Sequence, residues 1–141
     1  MSSVLQIAVP VAGFILVVWI ATVIINSRLR RLAAERSSDS ICSFTRSLDY
    51  RCLDTQVIRA TYDEVQHYLD SVSPKFPIRA TDRLEQDLHI DYEDTADMLV
   101  AIAKQCGRDL QPSEAWPRKL RFETIADLIH FVCDLPKSHV A

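Results

Sequence analysis

The chain has 141 residues, 48% hydrophobic and 25% charged, with a net charge of −3. That length allows one small domain plus an appendage. The charge is unevenly spread: residues 1–27 hold no charged side chain, residues 28–36 hold four arginines and one glutamate, and residues 37–141 therefore carry −6. So acidic a domain argues against nucleic-acid binding, which needs a basic surface for phosphate contacts.

The apolar run VLQIAVPVAGFILVVWIATVII, Val4 to Ile25, comes first. It matches the roughly 20 residues a helix needs to cross about 30 Å of hydrocarbon. A cleaved signal peptide would want positive charge before the run and a small-x-small site after it. Here MSS precedes the run and NSRLRR follows, so residues 1–27 read as a retained transmembrane anchor. Arg28, Arg30, Arg31 and Arg36 flank the span on its C-terminal side only. The positive-inside bias then puts the domain in the cytoplasm, with the arginine collar touching anionic lipid.

Residues 28–54 begin as a helical extension and continue as a serine-rich linker of mixed character, whose apolar patches lean on the domain. The domain proper, residues 55–141, reads as successive helices. Thr61 and Glu64 suggest a capping box, followed by an apolar stripe of Val65, Tyr68, Leu69 and Val72. Val57–Ala60 extends this helix backwards or staples it. Two prolines mark 73-SPKFPIRA-80 as a loop, and Leu84 and Leu88 pin the long connection that follows. Asp91 caps the next helix with Asp94 as its box partner, Met98, Leu99, Ile102, Ala103 and Cys106 form its buried face, and Gly107 stops it. A short turn is expected at 112-PSEAW-116. The last helix starts at Thr124, with Asp127 as box partner, and buries Ile125, Leu128, Ile129 and Val132. No run alternates with period two. The expected fold is all-α: one transmembrane helix and a small bundle of three main helices and one short one.

The four cysteines, Cys42, Cys52, Cys106 and Cys133, form no Cys-x-x-Cys pair and no ligand-like spacing with the histidines. Reduced thiols are expected, with Cys106 and Cys133 in the core and no structural zinc.

The ordered set Thr81, Leu84, Asp87 and Leu88, then Asp91 and Asp94, then Leu110 and Pro112, then Thr124, Ile125, Leu128, Ile129 and Val132 resembles an acyl carrier protein over about residues 57–134. In that family the aspartate at the helix entrance is followed by a serine that receives the phosphopantetheine arm. Here Asp91 is followed by Tyr92. A phenol places its oxygen further out and with different acidity, so the resemblance does not carry the cofactor over. Ser71, Ser73 and Ser113 lie elsewhere and do not replace the missing serine. The combination is similar to carrier-like, serine-lacking domains of enteric and related bacteria, which implies a bacterial inner-membrane location and supplies no activity.

Seven acids, Asp82, Glu85, Asp87, Asp91, Glu93, Asp94 and Asp97, stand between residues 82 and 97 against Arg83 alone. Capping and a solvated face explain part of this crowd. The sharper expectation is a docking face of Asp91, Tyr92, Glu93, Asp94 and Asp97 for a protein with a basic surface, where charge supplies orientation and fast association. His89 is expected in a loop, and Trp116, Arg118, Lys119 and Arg121 form a small basic-aromatic patch. No nucleophile–base pair, paired-carboxylate pocket or calcium-loop spacing is recognisable. The expectation is a membrane-anchored, non-catalytic adaptor or regulator with no cofactor. The alternative is a working acyl carrier or accessory protein of lipid or polyketide metabolism, modified at an unusual site.

Overall fold

The computed structural model describes residues 2–110 and 121–138, with side chains from residue 9 onward. Among the described residues there are five helices: α1 (Ser2–Glu35), α2 (Ile41–Ser47), α3 (Thr55–Leu69), α4 (Tyr92–Gln105) and α5 (Ile125–Asp134), and no sheet. The turn expected at residues 112–116, with Ser113, Trp116, Arg118 and Lys119, lies outside them.

At 34 residues, α1 is about 50 Å long at 1.5 Å per residue, well beyond what the hydrocarbon layer alone requires. Val9–Glu35 is long and apolar enough to cross a membrane, and none of its most apolar window is buried against the rest of the chain. The surplus length serves the domain. Leu29 is buried, and Ile25, Leu32 and Ala33 on the same face pack against the core. The helical extension therefore acts as part of the bundle, its 25, 29, 32, 33 spacing following the helical period.

The expected linker also enters the core. Ser40 caps α2, with its side chain and that of Ser43 closing a capping box, and Phe44 and Leu48 are buried one turn apart. Phe44 meets the Tyr62 ring of α3 edge-on at 5.2 Å.

α3 begins six residues before the expected box. Asp54 is its N-cap, accepting from the Gln56 amide at 3.0 Å. Thr61 is a fully buried interior residue, not a cap, and its hydroxyl has no hydrogen-bond partner. The true buried stripe is Val57, Ile58, Thr61, Val65 and Leu69. The backward-extension reading of Val57–Ala60 holds, whereas Tyr68 turns outward.

The other two helices begin close to where they are expected. Asp91 caps α4. At its end Gly107 adopts φ +59°, the Gly107 amide donates to Lys104 and the Arg108 amide to Ala103 at 2.8 Å. That is the Schellman pattern, with glycine where other residues meet a Cβ penalty. Thr124 and Asp127 form the reciprocal box of α5. The two amides their side chains leave open, those of Ile125 and Ala126, donate to the carbonyls of Asp82 and Ala80 at 3.2 and 2.9 Å. The start of α5 is thus fully satisfied, and the satisfaction sews the 80–84 loop to it.

α3, α4 and α5 pack on one another, and Phe76, Ile78, Leu84, Leu88 and Ile90 of the long connection fill the space between them. Two polar clamps close the assembly. The Arg108 guanidinium, itself mostly buried, pairs with Asp54 at 2.7 Å and donates to the Cys133 and Leu135 carbonyls at 3.1 and 2.9 Å. One side chain so joins the start of α3 to the end of α5. The Gln56 amide, and after it Arg108, hold the Asp54 carboxyl below the usual carboxylate range. Its contribution to stability is present above the ordinary carboxylate pKa and is lost as pH falls through the lowered one. The second clamp joins α1 to the bundle: Arg36 meets Asp82 at 2.7 Å with 15% and 3% side-chain exposure, and Arg79 meets Asp39 at 2.6 Å. The second Asp82 oxygen accepts from the Arg79 amide at 2.8 Å.

Removing one partner of a buried, hydrogen-bonded pair leaves the other charge uncompensated. Arg36→Ala is expected to destabilise the detergent-solubilised protein by about 3 kcal/mol in chemical denaturation. Thr61→Val, which replaces an unpartnered buried hydroxyl by a methyl of similar shape, is expected to raise stability by about 1 kcal/mol in the same measurement.

Candidate functional site

The entrance to α4 is built by a tight wrap of the preceding loop. Leu84, Leu88 and Ile90 anchor it in the core. The amides of Asp87 and Leu88 both donate to the Arg83 carbonyl, at 3.0 and 3.2 Å, and that of Ile90 donates to the Leu84 carbonyl at 2.8 Å. His89 takes φ +55° at the turn and is exposed, a loop residue as expected. The chain then delivers Asp91, whose Oδ1 accepts from the Asp94 amide at 2.9 Å, and Tyr92 as the first helical residue, 49% exposed. Tyr92 lines a cleft of about 350 Å³ together with Arg83, Gln86, Asp91, Arg121 and Phe122. Arg83 lies 3.4 Å from Glu123 and hydrogen-bonds the Gln86 side chain.

The seven acids of this segment do different work. Asp82 is buried in the clamp to Arg36. Asp87 accepts from the Arg83 amide at 2.9 Å and closes the wrap. Asp91 is the cap. Asp94 does not return a bond to the cap; its carboxylate acts instead on the Tyr68 phenol of α3, which it holds protonated. Glu85, Glu93 and Asp97 remain exposed, with no ion-pair partner among the described residues. Of the five residues expected as a docking face, Tyr92, Glu93 and Asp97 are thus exposed and uncommitted, while Asp91 and Asp94 hold structure. Val100, 56% exposed one turn beyond Ala96, adds an apolar point on the outer side of α4. Sequence reading missed Tyr68 as a neighbour of this face, having counted it in the apolar stripe.

The arginine collar is similarly divided. Arg28, Arg30 and Arg31 are exposed, Arg31 in an open pair with Glu35 at 3.0 Å, and Arg30 donates from Nε to the Val72 carbonyl at 3.3 Å. Arg36 is turned into the bundle. Cys42 and Cys52 are exposed, whereas Cys106 and Cys133 are half-buried against the core and burial pushes both thiols up, away from the reactive thiolate. Among the described residues no three His, Cys, Asp or Glu side chains converge as a metal site requires.

Comparison with protein-family models, characterised proteins and solved structures finds no match. What stands plainly is a membrane-associated all-α protein: a helical bundle with one helix long and apolar enough to span a membrane.

The Tyr68 phenol is pushed up to about 12, first by its hydrogen bond to Asp94, then by burial and by the charges of Asp94, Asp91 and Asp97. Because the folded value lies above the ordinary phenol value, the native state holds this proton longer than the unfolded chain. Stability from this group is complete below the ordinary value near 10 and is lost as pH rises towards 12. Phenolate absorbance should therefore show a late step near pH 12 that Tyr68→Phe removes. A Tyr68→Phe titration unchanged from wild type would contradict the Asp94 contact.

Proposed function

We propose that this protein is a membrane-anchored, non-catalytic adaptor or regulator whose carrier-like helical domain contacts a protein partner through the outer side of α4. The observation that carries the reading is the α4 entrance itself: the residue after the Asp91 cap is a half-exposed tyrosine, flanked by exposed Glu93 and Asp97. A cap followed by a phenol keeps the shape of a carrier-protein entrance without the hydroxyl to which an arm is attached. Tyrosine beside unpaired carboxylates suits recognition: the ring supplies contact area and the acids steer a basic surface into register. Tethering by α1 confines both partners near the bilayer and raises their encounter frequency without strong binding. The one-sided arginine flank favours a cytoplasmic domain on an inner membrane.

The second reading, a carrier modified at an unusual site, draws on the cleft of about 350 Å³ beside Tyr92, which Leu84, Ile90 and Phe122 make partly apolar.

Intact-mass measurement after co-expression with a phosphopantetheinyl transferase separates the two. The adaptor reading expects the mass of the unmodified chain, and an added arm would establish the carrier reading. A photo-crosslinker placed at Tyr92 in membranes should give defined adducts that the double variant Glu93→Lys, Asp97→Lys loses. Adducts that persist unchanged would mean these acids are solvated surface only.

A further inference from the structure

Away from the α4 entrance, a second cleft of about 330 Å³ opens between the C-terminal part of α1 and the loop that follows α3. Arg30, Ala33 and Ser37 line one wall; Ser73, Pro74 and Lys75 line the other. Its depth is set by the helix. Arg30 and Ala33 follow Ser27, the last residue before the first charge, by about 5 and 9 Å of helical rise. That is the level of the headgroup layer adjoining a hydrocarbon core about 30 Å thick.

The charges of the cleft are open. Arg30 spends only Nε on the Val72 carbonyl, leaving its other nitrogens unpaired among the described residues, where Lys75 has no ion-pair partner either. The acid that lines the cleft, Asp39, is neutralised by Arg79 at 2.6 Å. The alanines of α1 leave room, and Ser37 and Ser73 add hydroxyls. Lys75 is also held at φ +57°, in the left-handed region where glycine would cost less. A lysine kept there lines the cleft at the expense of backbone strain.

We propose that this cleft binds the phosphate of an anionic phospholipid headgroup, with Arg30 and Lys75 as its cationic ligands and Ser37 and Ser73 as hydroxyl donors. The inference rests on α1 spanning the membrane and is independent of what α4 binds. A free phosphate offers the same oxygens. An anionic lipid is already confined at this depth, because its acyl chains lie in the hydrocarbon layer beside α1.

The test uses the full chain in mild detergent, with native mass spectrometry after addition of phosphatidylglycerol, phosphatidylcholine or inorganic phosphate. Wild type should retain phosphatidylglycerol over phosphatidylcholine. Arg30→Gln and Lys75→Gln should each reduce that preference about fivefold, while Arg28→Gln with Arg31→Gln, outside the cleft, should leave it within about twofold. Lys75→Gly should lose the preference yet melt at a higher temperature, separating binding from folding. Equal loss from the Arg28/Arg31 variant would mean a diffuse collar and overturn the site. Binding of inorganic phosphate that displaces phosphatidylglycerol would assign the cleft to a soluble anion and overturn the lipid assignment. Release of the protein from membranes by alkaline carbonate would defeat the spanning premise itself, a result distinct from a membrane-embedded protein without lipid preference.

Discussion

Two reciprocal arginine–aspartate contacts, Arg36 with Asp82 and Arg79 with Asp39, join the end of α1 to the loop that leads towards α4. The Asp82 backbone carbonyl in turn accepts from the first amide of α5. A single aspartate therefore touches the membrane-proximal helix, the long connection and the last helix of the bundle. Buried ion pairs stabilise little compared with apolar packing of equal volume, because desolvation offsets most of their attraction. Their effect here is geometric: a wrong register between α1 and the 79–82 loop leaves Asp82 buried without its counter-charge. Together with the packing of Ile25, Leu29, Leu32 and Ala33, this makes α1 a continuation of the domain instead of a string attached to it.

Such a clasp has a consequence for the surface. A freely tethered domain presents every face to its surroundings, whereas a clasped one presents fixed faces at fixed heights. The cleft beside Arg30 and Lys75 then keeps one height along α1. The half-exposed Tyr92 and its neighbours Glu93 and Asp97 likewise keep one bearing relative to α1. The acids of the 82–97 segment divide along the same line. Those that fold the chain, Asp82, Asp87, Asp91 and Asp94, have partners, and those left exposed are the ones free to meet another molecule.

Much of this was legible in the residues, and the failures have physical causes. A helix long and apolar enough to span a membrane, the all-α class, the caps at Asp91 and Thr124, the Gly107 stop and the buried faces of α4 and α5, apart from the half-buried Cys106, follow from short-range patterns, and they appear where those patterns put them. The start of α3 was misplaced because Thr61 and Glu64 satisfy the spelling of a capping box inside a helix that Asp54 had already begun. The spacing of Val57, Thr61, Val65 and Leu69 was the signal for the longer helix. α2 is only seven residues long, and two buried residues, Phe44 and Leu48, are too few to establish a period. The clamps were invisible in principle. Arg36 with Asp82 and Arg108 with Asp54 lie 46 and 54 residues apart, and no local rule selects one arginine of a basic flank for burial. The same holds for Tyr68, an apolar-stripe residue by spacing whose phenol is held protonated by Asp94.

The central claim is that α1 and the bundle form one body. Pulsed electron–electron distance measurement tests it most directly, on a chain with its four cysteines replaced and spin labels at the exposed positions 28 and 67, reconstituted in lipid. The account predicts a single narrow distance distribution that broadens when Asp82 is replaced by alanine. A distribution already broad with Asp82 in place, as from a domain on a flexible tether, would contradict it.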